Sequence, residues 1–168
     1  MHKQKPWFLA IMIVGMELKK MGVEARYGLD NYFLTRARQK KILELESVDY
    51  QVQLLSGFSD RDQEWMLLST LKDLKTVEKE FDRLYKVWRA GDTKTLESIM
   101  MKDVKEDPKL LDAYQKLLLN RNKSMVSHLD FYLNTNGIFF VVVGAGHLVG
   151  EKGIVELLRG KGYRVEQF

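Results

Sequence analysis

The sequence contains no cysteine, and only two of its 168 residues are proline. Without cysteine the protein cannot form a disulfide, a thiolate-ligated zinc or iron–sulfur site, or a thiol nucleophile. The scarcity of proline, together with twelve glycines and 45% hydrophobic residues, excludes a collagen-like, low-complexity or disordered chain. The length suits one domain, and we expect residues 1–168 to form a single domain.

Long apolar runs are also missing, since none approaches the roughly 18 residues that a transmembrane helix needs. The longest apolar stretch, 7–16, lacks a small-residue cleavage site after it, so we favour an amphipathic helix over a signal peptide. The net charge of +4 comes from 27 basic and 23 acidic residues, and the two signs are interleaved. A nucleic-acid-binding protein usually gathers its basic residues in one stripe, so we expect no nucleic-acid partner.

Hydrophobic periodicity predicts a mostly helical chain. Apolar residues recur every three or four positions, and Gly, Pro, Asp and Thr mark the ends of the segments. The predicted helices span about 6–21, 30–40, 49–55, 61–89, 93–101, 108–135 and 151–160. Residues 60–105 carry no motif, and we interpret them as a helical insertion.

Three short segments have patterns typical of strands. KILELE at 41–46 alternates in hydrophobicity, IFFVVV at 138–143 is continuously apolar, and YRVEQ occupies 163–167. The order of strand, glycine loop, helix and strand over 138–167 predicts a βαβ unit with parallel strands. The expected fold class is therefore α/β, rich in helix, with a small and mainly parallel sheet.

The loop that follows the 138–143 segment contains the block GAGH. Its glycines Gly144 and Gly146, with Gly150, have a spacing one residue longer than the dinucleotide fingerprint, so nucleotide binding fits poorly and a plain turn is the alternative. His147 would lie just beyond the carboxyl end of a buried strand, where ligands bind in open α/β sheets. An imidazole there could bind a metal ion, act as a base, or be structural.

The predicted helix 108–135 carries two polar residues on its apolar stripe. A guanidinium at Arg121 needs an anionic partner there or must reach water, and Asn122 is next to it. Glu46, at the end of the first predicted strand, could be that partner, because parallel strands end at the same edge of a sheet. We expect Glu46, Arg121, Asn122 and His147 to converge, with an exposed strand end as the alternative for Glu46.

These residues resemble the signature of the TraB/GumN family, to which the TIKI metalloproteases are related. The resemblance is carried by GAGH and the following G-Y-x-V, by Gly-Leu-Asp and Leu-Glu in YGLDNYFLTRARQKKILELES, by Gln51 after Glu46, and by Arg121–Asn122. It covers nearly all of the chain, and it implies an α/β fold shared with TIKI-like and erythromycin-esterase-like proteins.

The resemblance also implies a metal-dependent hydrolase or peptidase site made of two GxxH motifs, a Glu and an Arg. Carried over to this chain, the second GxxH is Gly144 to His147, the implied metal ligands are His147 and Glu46, and Arg121 and Asn122 complete the catalytic set. A site of imidazole and carboxylate without thiolate suits Mn, Co or Zn. The implied partner is a peptide or protein substrate.

The other GxxH of the family does not occur in the sequence. We therefore interpret the chain as the C-terminal part of a family domain without its leading strands. A half-sheet with an exposed apolar edge tends to associate, so we expect a homo-oligomer. We therefore hold two alternative hypotheses for the function. The protein is either a metal-dependent peptidase that is incomplete in this chain, or a non-catalytic interaction module whose GAGH loop is structural. Bacterial relatives are often extracytoplasmic, but these residues assign no compartment.

Overall fold

The computed structural model describes residues 4–168, which are mostly helical. In chain order the helices are α1 (Pro6–Lys20), α2 (Leu29–Ala37), α3 (Val48–Ser56), α4 (Asp60–Asp73), α5 (Val77–Arg89), α6 (Thr93–Met100), α7 (Lys102–Glu106), α8 (Leu111–Tyr114), α9 (Asn120–Leu133) and α10 (Ile154–Gly160). The chain divides into two compact units, the first ending at Phe81 and the second formed by Asp82–Phe168, with the boundary inside α5. No helix in 4–168 is both long enough and apolar enough to cross a membrane.

Several helices begin where side-chain capping groups occur in the sequence. The hydroxyl of Ser47 accepts a hydrogen bond from the backbone N–H of Tyr50 at 3.1 Å and starts α3. The carboxylate of Asp92 accepts from the backbone N–H of Thr95 at 3.0 Å and starts α6. Each cap satisfies an N–H group that the first helical turn leaves without a partner.

Two long predicted helices are interrupted. The segment 61–89 breaks after α4, where the backbone N–H and the hydroxyl of Thr76 both donate to the carbonyl of Asp73, at 2.9 and 3.2 Å. A threonine bonded in this way competes with the regular helical ladder. The segment 108–135 becomes a 3₁₀ turn (Pro108–Leu110), α8, a π-helical turn (Gln115–Leu119) and α9.

The α/β expectation is wrong, because no residue in 4–168 belongs to a strand or a sheet. The segments 41–46, 138–143 and 163–167 are irregular, so the predicted parallel sheet and βαβ unit are absent from the described chain. A strand forms only when its backbone groups pair with a neighbour, and an apolar or alternating pattern does not supply that neighbour. Ile138 and Phe140 accordingly remain on the surface.

In the first unit, α1 packs against α4. Three of the described residues of this unit are buried: Ala10 of α1, Phe58 in the loop before α4, and Gln63 of α4. The side-chain amide of Gln63 donates to the carbonyl of Phe58 at 2.8 Å, which ties the start of α4 to the loop before it. This small interior combines apolar contacts with one local polar contact.

In the second unit, α9 packs against α10, and the buried apolar residues come from α6, α9 and α10. These residues are Leu96, Met125, Val126, Leu129 and Ile154. Burial of one such aliphatic side chain stabilises a fold by roughly 1.5–3 kcal/mol. The same interior holds two polar side chains, Asn122 and His147.

Candidate functional site

The GAGH block forms a tight turn at the surface of the second unit. Ala145–His147 adopts a 3₁₀ turn, closed by the backbone N–H of His147, which donates to the carbonyl of Gly144 at 2.9 Å. The turn folds the imidazole inward, so that only 9% of His147 remains accessible. The imidazole is therefore largely shielded from solvent.

Asn122 is the buried partner of this histidine. Its Oδ1 lies 2.6 Å from Nδ1 of His147, and its Nδ2 donates to the backbone carbonyl of Lys152 at 2.8 Å. Asn122 is 1% exposed, and its contact with His147 is buried, while its contact with Lys152 is partly buried. One amide side chain on α9 thus holds the histidine turn and the following loop together.

These contacts determine which nitrogen of His147 carries the proton. Because the Nδ2 group of Asn122 donates to a carbonyl, the atom that faces the imidazole is the acceptor Oδ1. Nδ1 of His147 is then the donor, so a neutral imidazole would carry its lone pair on Nε2. This is the tautomer that a metal-binding or proton-accepting histidine uses, since its second nitrogen is held by a hydrogen bond.

The glycines of the loop allow α6 to approach closely. A Cβ atom on Gly146 would lie 2.7 Å from Sδ of Met100, and one on Gly150 would lie 2.7 Å from Oε1 of Glu97. Gly150 also has a φ of +83°, a conformation that other residues rarely adopt. A Cβ atom on Gly144 would meet only the imidazole of His147, at 3.7 Å.

Arg121 lies beside Asn122 on α9 and is half-buried. Its Nη1 donates to the carbonyl of Leu117 at 2.9 Å, in the π-helical turn that precedes α9. π-Helical turns inside helices often occur at functional sites. The contribution of Arg121 to catalysis stays a prediction.

Glu46 belongs to the first unit, whereas His147 belongs to the second. Glu46 is half-buried, and its Oε2 accepts a hydrogen bond from Nε2 of Gln51 at 3.4 Å. The predicted convergence therefore occurs for Asn122 and His147, while the approach of Glu46 to them stays a prediction.

Glu97 lies against the loop and interacts electrostatically with Tyr114, and the sequence indicated neither residue as part of the site. Burial raises the pKa of the Tyr114 phenol, and the charge of Glu97 raises it further. The three-residue spacing of Glu97 and Met100 indicates a shared helix face, but nothing in the sequence indicates that this face meets the glycine loop.

Within residues 4–168, no group of three or more His, Cys, Asp or Glu side chains is placed to hold a metal ion. His147 has the correct chemistry and tautomer for one ligand. The described side chains alone therefore do not form a complete metal centre of the usual kind.

The chain resembles proteins of known sequence over most of its length. It is 25% identical to the uncharacterized protein YbaP of Escherichia coli strain K12 and to that of Shigella flexneri, over 158 residues that cover 93% of this chain and 57% of each relative. A 60-residue stretch, 33% of the chain and 12% of the relative, is 38% identical to the metalloprotease TIKI2 of Danio rerio. No solved structure matches the chain.

The chain spans just over half the length of its YbaP relatives. The match to the family model is broader than any of these likenesses, because it extends over residues 1–167 and includes the GAGH turn and the Arg121–Asn122 pair. The chain belongs to the TraB/PrgY/gumN family.

Proposed function

We propose that the protein is a hydrolase of the TIKI-like type that acts on peptide bonds. The observation that carries this proposal is the buried pair of Asn122 and His147, joined at 2.6 Å. Family membership and the likeness to a protein named metalloprotease TIKI2 support the same reaction class. A plain surface turn would not need a histidine whose tautomer is set by a buried amide.

His147 would use Nε2 either to bind a divalent metal ion or to accept a proton from the attacking water and return it to the leaving amine. Asn122 would keep the ring in the required tautomer and orientation, as a positioning residue. Arg121 would stabilise negative charge that develops on the scissile carbonyl oxygen. Glu46 would act as a second ligand or general base.

A divalent metal ion, Mn, Co or Zn, would supply Lewis-acid chemistry at this site. His147 suits a single imidazole ligand, and the remaining ligands would come from Glu46 or from outside the described residues. This part of the proposal rests on the name of the TIKI2 relative, because the described residues contain no three-ligand group.

The test compares wild-type protein with His147→Ala, and uses His128→Ala as the matched control because His128 is exposed on α9. We expect Mn, Co or Zn to raise the melting temperature of the wild type and of His128→Ala but not of His147→Ala. Cleavage of a mixed peptide library should fall by about 10²–10⁴-fold in His147→Ala alone.

Equal cleavage by all three proteins would reject the role of His147. A wild type that cleaves no peptide and is stabilised by none of the three metals would reject the hydrolase proposal. The interaction-module interpretation would then take precedence.

That second interpretation is favoured by the exposed apolar residues in 138–142. Ile138 and Phe140 are fully and largely exposed, and Phe139, Val141 and Val142 are partly so. We propose that this surface joins copies of the chain into a homo-oligomer, because exposed apolar patches tend to associate. Light scattering coupled to size-exclusion chromatography should show an oligomer that Phe140→Lys dissociates, whereas a wild-type monomer at every concentration would contradict the proposal.

A further inference from the structure

Helix α6 places a carboxylate directly against the loop that follows His147. A Cβ atom added to Gly150 would lie 2.7 Å from Oε1 and 3.1 Å from Cδ of Glu97. The Glu97 carboxyl group therefore occupies the space that a side chain at position 150 would need. Met100, three residues later on α6, occupies the corresponding space beside Gly146. This face of α6 thus contacts the loop on both sides of His147.

The Glu97 carboxylate has no hydrogen-bond or ion-pair partner among the side chains that the structure describes, and the residue is half-buried. Its negative charge acts on the Tyr114 phenol, whose pKa it helps to raise. A carboxylate that is partly removed from water and lacks a cation is poorly compensated. It gains most from a cationic partner that a ligand brings.

We propose that Glu97 binds the ammonium or guanidinium group of a basic residue in a peptide that occupies the His147 loop. This inference rests on the proposed function, because it takes the ligand to be a peptide. It adds a preference for basic peptides and assigns that preference to one residue outside the predicted catalytic set. A Lys or Arg side chain is long enough to reach a half-buried carboxylate while its peptide backbone stays at the surface.

The probe is the blocked pentapeptide Ac-Ala-Ala-Lys-Ala-Ala-NH₂, compared with the same peptide containing acetyl-lysine. Each is titrated by calorimetry into wild-type protein, Glu97→Gln and the control Glu151→Gln, which removes an exposed acid close to the same loop. We expect wild type and Glu151→Gln to bind the lysine peptide about tenfold more tightly than the acetylated one. Glu97→Gln, similar in size but uncharged, should bind the two peptides equally.

Wild-type protein that shows no preference for the lysine peptide would overturn the inference, whatever the variants do. A preference that persists in Glu97→Gln would also overturn it. Failure of the proposed function gives a different result: the charge preference would depend on Glu97, but no peptide would be cleaved. Cleavage that depends on His147 without any charge preference would reject only the role of Glu97.

Discussion

The two units bury polar side chains in different ways. In the first unit, Gln63 is 2% exposed and bonds to Phe58, only five residues before it. In the second, Asn122 is 1% exposed and bonds to His147 and Lys152, 25 and 30 residues away. The first contact belongs to the start of one helix, whereas the second joins a helix to a distant loop.

The two amides also differ in how completely their hydrogen-bonding groups are used. Oε1 of Gln63 has no hydrogen-bond partner in residues 4–168, while both polar atoms of Asn122 are bonded. A buried amide whose polar atoms are all bonded makes a specific contact. Its removal destabilises the fold, because two partners lose their hydrogen bonds. This difference is the structural reason to place the candidate site in the second unit.

Replacing Asn122 by Leu should have the largest effect on stability. The change leaves Nδ1 of His147 and the carbonyl of Lys152 without their buried partner, at a cost of about 3 kcal/mol in the free energy of unfolding. Urea denaturation followed by circular dichroism measures that loss. Asn120→Leu is the control, because Asn120 is exposed on the same helix and should change stability by less than about 0.5 kcal/mol. Equal losses in the two variants would show that the buried pair contributes little.

Replacing Gln63 by Met should have a much smaller effect, although Gln63 is as deeply buried as Asn122. The variant loses the bond to the Phe58 carbonyl, but it also removes an unpaired buried oxygen and nearly keeps the side-chain volume. These two changes oppose each other, so we expect a shift within about 1 kcal/mol in the same urea experiment. A loss as large as that of Asn122→Leu would mean that the two units are not different in this respect.

Much of the helical structure could be predicted from the sequence, because it depends on local signals. Pro6 occupies the first turn of α1, and Ser47 and Asp92 cap α3 and α6 by accepting from a backbone N–H three residues later. The strand predictions were wrong because strands depend on distant segments of the chain rather than on local signals. The run at 138–143 has the composition of a buried strand, but a strand also needs a distant segment to pair with, and composition does not identify one.

The candidate site was predictable in part for the same reason. The apolar stripe of a helix and the GAGH block led to the expectation that Asn122 and His147 converge with Arg121 and Glu46, and the structure joins the first two directly. Glu97 could not be found in this way. Its importance depends on how α6 packs against two glycines, which is a tertiary contact without a local signal.

The last and smallest expected effect concerns the surface contact between α9 and the end of α10. Oδ1 of Asp130 accepts a hydrogen bond from the Tyr163 hydroxyl at 2.6 Å, and Oδ2 accepts one from Nζ of Lys161 at 2.8 Å. The bond from Lys161 and then that from Tyr163 lower the pKa of Asp130 below its usual 3.8. The same contacts raise the pKa of Lys161 and of Tyr163.

The directions of these pKa shifts predict that the contact stabilises the fold most between the carboxyl range and the range in which Lys161 and Tyr163 lose their protons. A lowered pKa at Asp130 stabilises the fold above the usual carboxyl range, and that contribution is lost as pH falls through the lowered value. The raised pKa values of Lys161 and Tyr163 stabilise the fold below their usual 10.5 and 10.0, and this is lost as pH rises beyond them. Asp130→Asn should therefore reduce the melting temperature by a small amount at neutral pH and weaken its decline in acid.

Melting temperatures between about pH 2 and 7 measure this effect. Asp112→Asn is the control, because it removes an exposed ion pair with Lys116 inside one helical stretch. The contact of Asp130 is exposed and screened by water and salt, so its effect should stay well below that of Asn122→Leu. Identical melting curves for wild type and Asp130→Asn at every pH would show that this surface contact, unlike the buried pair, contributes nothing to the second unit.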